Sequence, residues 1–235
     1  FHNFVQKAER SGRYCHEEDE RFTEQWSRII MHLPYAYQAK RMFPDVFRHD
    51  REDTEMWKEV AKQLGPAPEP HNSDDPVIIE IWEKAMDGYR RAISKTPQYL
   101  DFHASRIEKG QRASSLIGNQ YTGSIFLALM STFESDLEEN VNLDNKLFGL
   151  CGYGSGAKAK VFEGKVSPNW REVVSRWNLF ERLAGRVAID HITYENLHKG
   201  LQSGSVVEPE GEFALVEIGE SGVQEGARRY KWIDA

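Results

Sequence analysis

Trp26-Ser27-Arg28-Ile29-Ile30-Met31-His32-Leu33-Pro34-Tyr35 puts a short apolar, β-branched run directly before a histidine and a proline. Ile29, Ile30 and Met31 favour a short buried strand. Pro34 suits the first turn of a following helix, where its missing N–H would have had no partner anyway. A strand that ends on a titratable side chain and hands over to a helix is where α/β folds present reactive groups. The flanking sequence must therefore supply helices and at least one more strand.

Upstream, Phe1, Phe4, Val5 and Ala8 share one helical face, so Phe1 to Arg10 is predicted to be helical. Downstream, a helix from about Tyr35 to Phe43 stops at Pro44, and Arg48 to Leu64 is a second, charged helix. Pro66, Pro68 and Pro70 then exclude both helix and interior strand. Val77 to Ser94 is predicted to be a helix that buries Ile78, Ile81, Trp82, Ala85 and Tyr89, and Leu116 to Phe133 a buried helix almost free of charge. Lys146 to Cys151 reads as a strand entering the turn Gly152-Tyr153-Gly154-Ser155-Gly156 and leaving through Ala157 to Val166. Trp170 to Ala184 and Asp190 to Lys199 are helical, the latter capped by Asp190 and closed by Gly200. Glu212 to Ile218 and Ala227 to Ile233 form a terminal hairpin.

The 235 residues carry 30 basic and 37 acidic side chains, a net charge of −7, with 40% hydrophobic and 11% aromatic residues. That composition excludes whole-chain disorder. The acidic balance argues against nucleic acid or an anionic membrane as the main partner, and no apolar run approaches the roughly 18 residues of a membrane span. Cys15 and Cys151 form no CxxC or Cys/His spacing, so neither a disulfide framework nor a metal site is expected, and a reducing, cytoplasmic setting is the default. The opening Phe1-His2-Asn3-Phe4 has neither an initiator methionine nor a signal-peptide pattern, and is read as part of something longer.

Three places combine a polar or reactive group with exposed backbone. His32 can donate to a carbonyl oxygen that gains negative charge, or can be a half-buried imidazole bonded to backbone. Asn119 and Tyr121, at the start of the apolar helix, suit an oxyanion, or are a cap and a packed ring. Gly152 to Ala157 formally matches G-x-G-x-x-G/A without the helix that fingerprint requires; the alternatives are a turn admitting a ligand to Gly154 and the Ser155 hydroxyl, or a plain β-turn. Lys40-Arg41 and Lys158 with Lys160 are basic pairs that would suit a phosphate or simply be solvated.

Taken together, His32-Leu33-Pro34-Tyr35, Gly118-Asn119-Gln120-Tyr121-Thr122-Gly123-Ser124 and Gly152-Tyr153-Gly154-Ser155-Gly156 resemble, in order and spacing, the second half of 3-hydroxy-3-methylglutaryl-CoA synthases of the thiolase-fold superfamily. The resemblance runs to Ala227-Arg228-Arg229-Tyr230. It implies an α/β, thiolase-like C-terminal half, a single domain over residues 1–235 with a helical insertion at about 44–115. The expected mixed sheet consists of the His32, Cys151, Phe213 and Tyr230 strands. It implies condensation of acetyl-CoA with acetoacetyl-CoA, as in the mevalonate route to isoprenoids, with acyl-CoA substrates and no further cofactor. His32 would be catalytic; Asn119, Tyr121, Gly154 and Ser155 would bind substrate; Lys40 and Arg41 would contact CoA. The family's CoA-contacting lysine is replaced here by Tyr37, which raises the alternative of a polyketide β-branching synthase acting on a carrier protein. The family's cysteine nucleophile and glutamate base belong to its first half, and neither Cys15 nor Cys151 matches the nucleophile. The segment alone is therefore expected to be inactive, to need the N-terminal half as partner, and to belong to a homodimer. A non-catalytic acyl-CoA-binding or interaction module is the alternative from another class.

Overall fold

The computed structural model describes residues 1–14, 21–154 and 158–234. It comprises two compact units, Phe1–Leu183 and Ala184–Ala235. In the first, helix α1 (His2–Arg10) buries Ala8, as its periodicity predicts. At its start, the rings of Phe1 and Phe4 meet Phe22 edge-on at 5.9 and 5.8 Å, the arrangement that aromatic quadrupoles favour. Strand β1 (Trp26–Met31) follows, with Trp26, Ile29, Ile30 and Met31 buried.

Residues 32–146 are a helical crossover: α2 (Gln38–Met42), α3 (Pro44–His49), α4 (Glu55–Leu64), α5 (Pro76–Ile93), α6 (Pro97–Arg106), α7 (Glu108–Ile117) and α8 (Ser124–Glu138). Pro44, Pro76 and Pro97 each open a helix, where a missing N–H costs nothing. The side chains of Thr54, Asp75 and Thr96 cap α4, α5 and α6. The crossover returns to β2 (Leu147–Gly154), which runs parallel to β1 and pairs antiparallel with β3 (Lys158–Lys165). The sheet is mixed, in the order β1-β2-β3, and α6 and α8 pack against β1. Two short helices, α9 (Trp170–Val174) and α10 (Leu179–Ala184), end this part of the chain. Buried Glu134 accepts the Leu179 and Phe180 N–H groups at 2.6 and 3.1 Å, holding the start of α10.

Several expectations are corrected. The helix expected over Arg48 to Leu64 is split, because the Asp50 carboxylate accepts the Phe22 and Thr23 N–H groups at 3.1 and 3.0 Å and ties the chain to the approach to β1. The helix expected from Leu116 to Phe133 is broken at Gly118, with φ +89°, and Tyr121, with φ +47°; α8 begins only at Ser124. On α5, Tyr89 is buried with Met86 and Ile93, whereas Ile78 and Ile81 are exposed, because its first turns lie beyond the core.

The second unit carries α11 (His191–His198), whose start is capped by Asp190 accepting the Thr193 N–H at 2.7 Å. It ends in the expected hairpin, β4 (Glu212–Ile218) with β5 (Arg228–Ile233). These strands were expected in one sheet with the His32 and Cys151 strands. They instead pair with each other as a separate two-stranded sheet, as strands adjacent in sequence commonly do.

Candidate active site

Because β1 and β2 are parallel, their C-terminal ends lie together, and the N-terminus of α8 joins them through Ser124. The His32 N–H donates to the Cys151 carbonyl at 3.0 Å, so the β1–β2 ladder runs one residue past β1. The next N–H, of buried Leu33, donates to the Ser124 Oγ at 3.0 Å. The same Oγ lies 2.6 Å from Nδ1 of His32. Ser124 is fully buried and His32 half-buried. Burial holds the His32 imidazole below its usual pKa, and the positive end of α8 favours the neutral ring in the same sense. A neutral imidazole anchored through one nitrogen can offer the other as a donor to an oxygen that gains charge.

Tyr153, near the end of β2, places its ring 6.4 Å from the His32 ring, tilted by 49°, and is partly exposed. Tyr121 is exposed and left-handed at φ +47°, a conformation that costs a non-glycine residue energy and accumulates where function holds it. The Oδ1 of Asn119 accepts the Tyr121 N–H at 2.7 Å. That oxygen is therefore engaged in a local turn, and the Nδ2 donors are what Asn119 can offer a ligand. Gly154 closes β2 opposite Lys158, and among the described residues a Cβ there would meet only the Lys158 carbonyl, at 3.6 Å. Ser155 lies outside the described residues, as does Cys15.

Lys40 and Arg41 share no common partner among the described residues. Arg41 donates to the Tyr35 hydroxyl at 2.9 Å beside a shallow groove lined by Gln38, Asp45, Asp87 and Arg90. Arg90 is neutralised there by Asp45 and Asp87 at 2.6 and 2.8 Å. Lys40 is half-buried, and its charge helps to lower the pKa of His103. Lys158 and Lys160 are exposed on β3. A strand begins at Lys158 where the dinucleotide fingerprint requires a helix, so that reading lapses.

Cys151 is a free thiol that burial pushes up to about 12, an inert environment rather than a thiolate-forming one. The residues that sequence reasoning passed over are Ser124 and Tyr153. Ser124 was quoted only as the end of a motif, and the 92 positions between it and His32 hide their contact.

Among the described residues no helix is long and apolar enough to cross a membrane, and no group of three or more His, Cys, Asp or Glu side chains is gathered as if for a metal ion. The family model for the hydroxymethylglutaryl-coenzyme A synthase C-terminal region matches residues 1–203. A hydroxymethylglutaryl-CoA synthase of Haloferax volcanii is 27% identical over 212 residues, which are 88% of this chain and 46% of that protein. The chain thus spans about half the length of this relative. MvaS in complex with 3-hydroxy-3-methylglutaryl coenzyme A superposes with a TM-score of 0.64 at 24% identity, covering 97% of this chain and 46% of that one. The curacin biosynthetic pathway HMG synthase in complex with holo donor-ACP superposes with a TM-score of 0.56 at 17% identity, covering 92% and 45%. These two superpositions establish a shared thiolase-like fold, and the match over residues 1–203 shows that the chain belongs to the hydroxymethylglutaryl-coenzyme A synthase C-terminal family.

Proposed function

We propose that this chain supplies the carbonyl-polarising half of a site that condenses acetyl-CoA with acetoacetyl-CoA. The observation that carries the proposal is a half-buried imidazole, anchored through Nδ1, at the joined ends of β1, β2 and the start of α8. In this reading a cysteine thioester and a glutamate base come from the N-terminal half of the same protein. The carbanion formed from the acetyl thioester attacks the acetoacetyl ketone, one C–C bond forms, and the carbonyl electron pair moves onto oxygen. Nε2 of His32 hydrogen-bonds that oxygen as its charge develops. Asn119 and Ser155 hydrogen-bond acyl oxygens, Tyr121 and Gly154 line the acyl pocket, and Lys40 and Arg41 serve the CoA phosphates. No further cofactor is needed, since water hydrolyses the thioester. The chemistry fits the mevalonate pathway of a cytoplasmic homodimer in which both compact units serve one domain with its helical insertion; the family match to residue 203 runs across the boundary between the units.

The test is a condensation assay on the full-length parent, on its His32→Ala variant and on the 235-residue chain. The parent is expected to turn over, the variant to lose about 10²–10⁴-fold in kcat, and the chain alone to be inactive. Normal turnover by His32→Ala removes the assignment, and a parent without activity favours a non-catalytic acyl-CoA-binding module.

A second reading draws support from Tyr37, exposed where the resemblance calls for a CoA-contacting lysine. Loss of that cation favours a substrate presented by a carrier protein. Transfer to carrier-bound acetoacetate but not to its CoA ester selects this reading.

A further inference from the structure

We infer that Ser124 is a positioning residue: its buried hydroxyl donates to Nδ1 of His32 and holds the imidazole as the Nε2–H tautomer, in one ring orientation, ready to donate to a substrate oxygen. The inference deepens the proposed function and rests on it only for the identity of that oxygen.

It follows from counting donors and acceptors. A serine hydroxyl has one proton and two lone pairs. The Leu33 N–H takes one lone pair at 3.0 Å, and backbone N–H groups cannot reverse their role. The second contact of the Oγ is Nδ1 of His32 at 2.6 Å. If Nδ1 carried the ring proton, the oxygen would accept twice, and its own proton would sit in a fully buried site with no acceptor among the described residues. An unmade hydrogen bond of that kind disfavours the state roughly tenfold or more. With the hydroxyl proton on Nδ1, every group in the chain Leu33 N–H, Ser124 Oγ–H and His32 Nδ1 is satisfied, and the ring proton is left to Nε2.

Three further observations agree. The His32 N–H bond to Cys151 fixes the backbone from which the ring springs, so the serine contact fixes its remaining freedom. Ser124 is the first residue of α8, whose positive end opposes protonation of the ring. Burial acts in the same direction on His32.

The inference is tested without substrate, by long-range proton–nitrogen NMR on the 15N-labelled chain, with the His32 signals assigned from their loss in His32→Gln. Above the imidazole titration, wild-type His32 is expected to show a protonated Nε2 and an unprotonated, hydrogen-bonded Nδ1. In Ser124→Ala the Nδ1 signal is expected to move towards that of a free imidazole, and in the full-length enzyme kcat is expected to fall roughly tenfold or more while KM changes little. A protonated Nδ1 in the wild type overturns the inference, and this measurement does not depend on how well the variant folds. An Nδ1 signal identical in wild type and Ser124→Ala overturns it as well. Because the spectrum needs no turnover, an Nε2–H ring in a protein that fails to condense acyl groups removes the proposed function while upholding the role of Ser124.

Discussion

The indole of Trp26 on β1 fills the space that a side chain at Gly149 on β2 would need: a Cβ at position 149 would lie 2.3 Å from the ring. Trp26 also donates its Nε1–H to Glu163 on β3 at 2.7 Å, and Glu163 pairs with Gly149 across the ladder. One side chain therefore spans all three strands. Gly149→Ala is expected to cost about 1–3 kcal/mol by overpacking, read as a lower urea midpoint at unchanged slope. Gly152→Ala, where a Cβ would meet nothing among the described residues closer than 3.8 Å, is expected to change stability by no more than about 0.5 kcal/mol. Equal effects would show that the Trp26 contact is not what excludes a side chain.

Asp136 is fully buried and accepts two bonds from Arg28, at 2.8 and 2.6 Å, and one from Lys109 at 2.6 Å. Asp136→Ala leaves two largely buried cations without their shared anion, and is expected to destabilise the chain by about 3–5 kcal/mol. Denaturant unfolding checks this. A loss below about 1 kcal/mol would mean that water reaches the cluster.

Burial lowers the pKa of His103, only 5% exposed, below its usual 6.5, with nearby Lys40 acting in the same direction and Glu108 opposing. Its ring lies 2.5 Å from the Gln111 amide, which donates to the neutral form. The unfolded chain then takes up a proton first as pH falls below the ordinary histidine value, so stability declines from pH 7 towards 5. Each such histidine contributes at most about 1.4 kcal/mol per pH unit. His103→Gln is expected to flatten the dependence of Tm on pH in that window, and an unchanged slope would place the proton uptake elsewhere, with His32 the next group to test.

With its thiol at about 12, Cys151 is ionised to only about one part in ten thousand at pH 8. Native chain treated with iodoacetamide at that pH is expected to leave the Cys151 peptide unmodified by mass mapping, and unfolded chain to label it fully. Rapid native labelling would reopen Cys151 as a nucleophile.

What could be read from the sequence was mostly local. The run Ile29-Ile30-Met31, the strands on either side of residues 155–157 and the terminal hairpin follow from neighbours a few residues apart, and the structure has them, whereas α2 begins only at Gln38 rather than at Pro34, and Gly152 to Gly154, expected in the turn, pair within β2. Breaks within a favourable pattern were harder to see. Tyr121 adopts φ +47°, which its residue type does not announce, so the approach to α8 looked like helix. Long-range placement was legible only in part: the His32 and Cys151 strands share a sheet as expected, but nothing in Phe213 or Tyr230 says which sheet their strands join. For the candidate site, His32 was legible as a strand-terminal imidazole, whereas Ser124 becomes visible only when residues 92 apart in sequence meet.

The parallel pairing of β1 with β2 across residues 32–146 also has a kinetic consequence. Closing so long a segment costs entropy before any ladder bond rewards it, whereas only three residues separate β2 from β3 in the sequence, so these two strands can zip early. The order of events expected during folding is then helices and the β2–β3 hairpin first, β1 last. His32 reaches Ser124 only when β1 docks, so the site is assembled in the final step, and a partly folded chain, however helical, has no organised imidazole to offer a substrate.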